Sequence, residues 1–82
     1  MGITEEQFHF MVESLTADLI SHLVESEGYT LKQAIDATYG SDLYAALNRP
    51  GTGLYNQSTG YLVEYLMREI KTGSLNPMRA ER

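Results

Sequence analysis

The side chains of this 82-residue chain that can do chemistry are eleven carboxylates, two histidines and a run of hydroxyls and amides near the middle. His9 and His22 are the only histidines. Thirteen residues apart on one helix, they fall in different angular sectors and are too distant to share a metal. Neither lies in a His-Glu-x-x-His pattern. His22 continues an apolar seam and reads as a core or half-exposed histidine. Glu5, Glu6, Glu13, Asp18, Glu25 and Glu27 are spaced around a helix without calcium-loop spacing, which reads as a solvated surface. With no cysteine there is no thiol nucleophile, disulfide or cysteine zinc site. Serines are present, but no Gly-x-Ser-x-Gly elbow. The expectation is a protein that is not an enzyme, with no cofactor and no metal.

The hydrogen-bonding run is Gly51-Thr52-Gly53-Leu54-Tyr55-Asn56-Gln57-Ser58-Thr59-Gly60-Tyr61. Three glycines, two tyrosines and five polar side chains sit together at the head of a helix. One reading is a recognition surface gripping a partner through Tyr55, Asn56, Gln57 and Tyr61, because tyrosine combines contact area with a polar tip. The other is a connection whose glycines take positive φ and whose Tyr and Leu anchor it to the core. Thr52-Gly53-Leu54-Tyr55 and Thr59-Gly60-Tyr61-Leu62 also look like a near repeat. As a phosphate loop the stretch fails: no Gly-Lys-Ser/Thr follows, and no strand precedes it.

Beyond it, Tyr61, Tyr65 and Arg68 fall within about 60° of one another at 100° per residue. Tyrosine plus arginine is interface chemistry. Both tyrosines can equally pack on the first helix. Glu64 and Arg68 are spaced as an i,i+4 ion pair. The candidate partner-binding residues are therefore Tyr55, Asn56, Gln57, Tyr61, Tyr65 and Arg68.

Net charge is −5, unevenly spread: residues 1–27 carry six acids and no lysine or arginine. Nucleic acid is met by clustered bases, so this chain offers the reverse. A helix-turn-helix across Tyr39-Gly40-Ser41 has a second helix with no base and an acid at its start, which phosphates would repel. Nucleic-acid-linked regulation, as a DNA binder or an acidic DNA mimic, is kept as the alternative. No apolar run approaches membrane-spanning length, and the first residues lack the basic and apolar regions of a signal peptide. A cytoplasmic setting is expected.

Four elements must position these residues. Thr4-Glu5-Glu6-Gln7 reads as a capping box opening a long helix to about Ser26, ended by Gly28. Phe8, Met11, Val12, Leu15, Leu19, His22 and Leu23 form one seam, with Phe10, Ala17, Ile20 and Val24 on the other side. Two stripes imply a central helix packed on both sides, or one side given to a partner. Thr30 and Gln33 form a second capping box before a short helix. Its apolar face is Leu31, Ala34, Ile35, Thr38 and Tyr39, and Gly40 stops it. Ser41 caps a third helix, Leu43 to Asn48, with Leu43, Tyr44 and Leu47 inward. Arg49-Pro50-Gly51 ends it. The fourth helix, capped by Ser58 or Thr59, runs to about Thr72 with Leu62, Val63, Leu66, Met67 and Ile70 as its core face. Residues 73–82 are expected to be a flexible tail after a single helical domain over 1–72. Short β structure near Leu54-Tyr55 has few residues to build on.

The segment Phe8 to Met11, the short middle helix, the Tyr-containing loop with Gln57-Ser58, and Gly60-Tyr61-Leu62-Val63-Glu64 together resemble a group of short uncharacterised helical proteins of gut bacteria. Some of these are encoded beside ADP-ribosyltransferase-like toxins. The resemblance implies an antitoxin-like or accessory role and carries no active site. The sequence thus leads to a compact all-α four-helix domain: a long first helix, two short middle helices, and a Gly/Tyr-rich loop before the last. Its expected function is non-catalytic protein–protein interaction in a bacterial cell, with homodimerisation through helix one.

Overall fold

Capping chemistry sets where the helices begin. In a computed structural model, which describes residues 2–72, Thr4 accepts from the Gln7 amide at 3.0 Å while the Gln7 side chain accepts from the Thr4 amide at 2.9 Å. That reciprocal pair satisfies two orphan donors and opens α1, Glu5–Glu27. Gly28 closes it with φ 79°, a left-handed value that a Cβ would disfavour. Thr30 and Gln33 repeat the box at 2.9 and 3.1 Å to start α2, Leu31–Tyr39. Ser41 accepts from the Tyr44 amide and caps α3, Asp42–Leu47. Two single turns of 3-10 helix, Pro50–Thr52 and Leu54–Asn56, fill the connection to α4, Thr59–Thr72. Ser58 caps α4 by accepting from the Tyr61 amide. No strand occurs among the described residues, and the short β structure considered at Leu54-Tyr55 is a 3-10 turn. Among the described residues no helix is long and apolar enough to cross a membrane. The segment expected to be a flexible tail, 73–82, lies outside the described residues.

The core is mostly leucine. Phe8, Val12, Leu19 and Leu23 of α1 meet Ala34, Leu43, Leu47, Leu54, Leu62 and Leu66. The α1 seam is therefore real, and Thr16 belongs to it: the side chain is buried, with its hydroxyl donating to the Val12 carbonyl at 2.7 Å. Bonding back to residue i−4 is what lets a threonine sit inside an apolar face. Met11 and His22, placed in the seam by periodicity, lie at its half-buried edge.

The second stripe of α1 splits. Ile20 and Val24 are half-buried and pack against the core. Ala17 and Phe10 stay exposed. The face expected on α2 also splits. Ala34 and Thr38 are fully buried, but Leu31, Ile35 and Tyr39 are exposed, Leu31 by 61%. The helix is rotated so that the smaller side chains face α1, which allows closer approach. Tyr39 instead stands edge-on to Tyr44 of α3, ring centroids 4.8 Å apart.

Candidate functional site

In the 51–61 connection, the amides of Thr52, Gly53, Leu54, Asn56, Gln57 and Tyr61 donate to neighbouring backbone or hydroxyl oxygens. Gly53 is its one left-handed residue, φ 73°; Gly51 and Gly60 do not need positive φ. The Thr52 hydroxyl lies 2.9 Å from the carbonyls of both Ala46 and Arg49 and accepts from the Leu54 amide at 3.2 Å. The amides of Asn56 and Gln57 donate to the carbonyls of Gly53 and Leu54, each at 3.0 Å. Leu54 is buried. The apparent repeat is not structural: its first copy spans 3-10 turns and its second opens α4.

Tyr55 anchors the connection. Its ring meets Phe8 edge-on at 5.1 Å and 81°. Asn56 and Gln57 are exposed, and among the described residues no side-chain hydrogen bond holds either one. The connector reading thus explains Thr52, Gly53, Leu54, Tyr55 and Ser58, and leaves two free amide side chains at the rim.

That rim walls a groove along the first half of α1. One hollow of about 310 Å³ is lined by Phe10, Met11, Ser14 and Leu15 on one side and Tyr55, Asn56 and Gln57 on the other. A second, of about 410 Å³, continues from Phe10 and Met11 to Ile3, Glu6 and Gln7. Phe10 stands between them, 70% exposed. Periodicity had put Phe10 on a stripe and Met11 in the seam, but it could not show that the loop would fold back beside them. The one signal was a phenylalanine off the main seam among acids.

The other three candidates line a different surface. Tyr61 and Tyr65 are exposed on α4, with ring centroids 6.5 Å apart. Tyr65 and Arg68 share a hollow with Glu69 and Thr72. So the six residues form two groups, Tyr55-Asn56-Gln57 against α1 and Tyr61-Tyr65-Arg68 on the outside of α4. Packing of the two α4 tyrosines into the fold leaves Tyr61 48% and Tyr65 37% exposed. The Glu64–Arg68 pair is not among the ion pairs of the described residues, which are His9–Glu5, His22–Glu27 and Lys32–Asp36. Two exposed side chains at this spacing gain too little to hold one geometry.

Sequence reasoning missed Glu69. From the last turns of α4 its carboxylate accepts from the amides of Asp42 at 2.7 Å and Leu43 at 3.0 Å. It caps α3 across a separation of 26–27 residues. The available signal was an acid adjoining the Leu62–Leu66 face. Asp18 similarly accepts from the Thr59 hydroxyl at 3.1 Å, at the head of α4. At the N-terminus of α3 the Glu69 carboxylate already occupies the position an anion would take.

His22 lies 3.2 Å from Glu27, and His9 lies 3.9 Å from Glu5. Among the described residues no three metal-ligating side chains come together. A scan of protein-family models, a search of curated proteins and a search of solved structures each return no match to this chain.

Proposed function

We propose that this chain is a non-catalytic protein–protein interaction module whose docking surface is the groove between the first half of α1 and the Tyr55-Asn56-Gln57 wall. The observation that carries the reading is Phe10, a large apolar ring left 70% exposed between two apolar hollows. An isolated exposed apolar residue needs no explanation, but one continuous with Ile3, Met11 and Leu15 forms a patch of the kind interfaces use. Asn56 and Gln57 supply exposed donors and acceptors at its edge. Tyr61, Tyr65 and Arg68 are a second, smaller contact surface in this proposal.

Part of the proposal is a cytoplasmic setting in a bacterial cell, with which a composition without cysteine is compatible, as it is with any compartment. An antitoxin-like or accessory role rests on the resemblance alone. Homodimerisation through α1 would use the same Phe10 surface, and light scattering tests it by mass. A nucleic-acid-linked role draws its support from the acidic surface of residues 1–27, as a duplex mimic. Electrophoretic titration with duplex DNA tests the DNA-binding form.

The direct test is position-specific photo-crosslinking in the native host. A photoreactive phenylalanine is placed at position 10, and separately at position 32, where exposed Lys32 of α2 pairs with Asp36. A discrete adduct from position 10 and none from position 32 supports the reading. No adduct at position 10, or the same adducts from both, removes it.

A further inference from the structure

We infer that the α1 groove accepts a cationic amphipathic helix of another protein; this rests on the docking reading above and names the partner's chemistry. The groove is lined by apolar Ile3, Met11 and Leu15, with Phe10 standing between its two hollows. From Glu6 to Leu15 it runs about 14 Å along the α1 axis, two and a half helical turns at 1.5 Å per residue. A helix presenting apolar residues at i, i+3 or i+4, and i+7 matches that length and would place one residue in each hollow on either side of Phe10.

Charge decides between occupants. Glu6 lines the groove, and Glu13 stands exposed one turn beyond Phe10. Among the described residues neither is within ion-pairing distance of a lysine, arginine or histidine. No lysine or arginine lines either hollow, and none occurs in residues 1–27. A second copy of this chain pairing through α1 would bring acids and no lysine or arginine from residues 1–27. A nucleic acid or an anionic membrane would bring phosphates. A helix flanked by Lys or Arg meets the acids with opposite charge, which raises encounter rate and fixes orientation.

The test uses the full chain and three labelled synthetic peptides of roughly fourteen residues, about four helical turns. The first is leucine and lysine in amphipathic order, the second the same residues scrambled, and the third leucine and glutamate in amphipathic order. Anisotropy titrations are run at low and moderate salt. The expected result is that the ordered Leu/Lys peptide binds at least tenfold tighter than the scrambled one. Phe10→Ala removes that advantage, as for an interface anchor. The double variant Glu6→Gln/Glu13→Gln weakens binding several-fold and flattens its salt dependence. Circular dichroism confirms that the variants stay folded. Equal binding of ordered and scrambled peptides, or an unchanged advantage in Phe10→Ala, overturns the inference. A Leu/Glu peptide that binds through Phe10 while Leu/Lys does not would leave the docking reading standing and sink the cationic partner. A dimer dissolved by Phe10→Ala would name the second copy as occupant instead.

Discussion

Phe8 and Phe10 stand two residues apart on α1 and meet opposite fates: Phe8 is 7% exposed, Phe10 70%. At 100° per residue they point about 200° apart, so only one can join the core. Phe10→Ala is therefore expected to move the denaturation midpoint by less than about 0.5 kcal/mol, as for an exposed site. Phe8→Ala should cost about 3–5 kcal/mol by opening a cavity and losing Tyr55's partner. Equal losses in urea melts would mean that Phe10 is structural. Thr38 is the opposite kind of exception. It is fully buried, and its hydroxyl has no hydrogen-bond partner among the described residues. A buried unsatisfied polar group costs about 1–3 kcal/mol, so Thr38→Val, similar in shape, should raise the melting midpoint. A lower midpoint would reveal a hidden partner. Neither fate could be read from residue type. Threonine at Thr16 bonds to its own helix and at Thr38 does not, and that depends on rotamers set by neighbours.

At the scale of elements, the helix starts were legible because their chemistry is local. Thr4 with Gln7 and Thr30 with Gln33 act over three residues, and both boxes form as the sequence implies. Gly28 ends α1 for the same reason. The faces of the short helices were not legible. On nine-residue α2, five apolar positions span a wide arc, and only the neighbours decide that Ala34 and Thr38 turn inward while Leu31, Ile35 and Tyr39 turn out. Glu69 is the clearest loss, since its partners lie 26–27 residues away. It ties α4 to the start of α3, a helix of six residues that propensity alone would not hold. Glu69→Ala should destabilise the fold by about 1–3 kcal/mol, because two charge-assisted bonds to amides are lost. Amide hydrogen exchange should accelerate first at Leu43 and along α3. Unchanged protection there would show that Ser41 alone caps the helix.

For the whole molecule, a long α1 flanked by shorter elements leaves its first half partly uncovered. α2 packs on α1, Ile20 and Val24 are partly buried against the core, and the 3-10 connection meets α1 through Tyr55 on Phe8, while Phe10 stays exposed. The two apolar stripes were visible in sequence; which part of the second stripe stays bare was not, because that depends on where the later elements stop. The candidate residues divided for the same reason. Tyr55, Asn56 and Gln57 became the wall of the α1 groove, while Tyr61, Tyr65 and Arg68 followed α4 to another side of its core face. Glu6 lines one of the two hollows, and residues 1–27 carry no lysine or arginine to offset it. The most direct measurement is an amide chemical-shift map of the isotope-labelled full chain titrated with the ordered leucine–lysine peptide. Shifts concentrated at Phe10, Met11, Ser14, Asn56 and Gln57 are the expected result. Shifts confined to Tyr61, Tyr65 and Arg68, or scattered evenly over every acidic residue, would contradict a docking groove on α1.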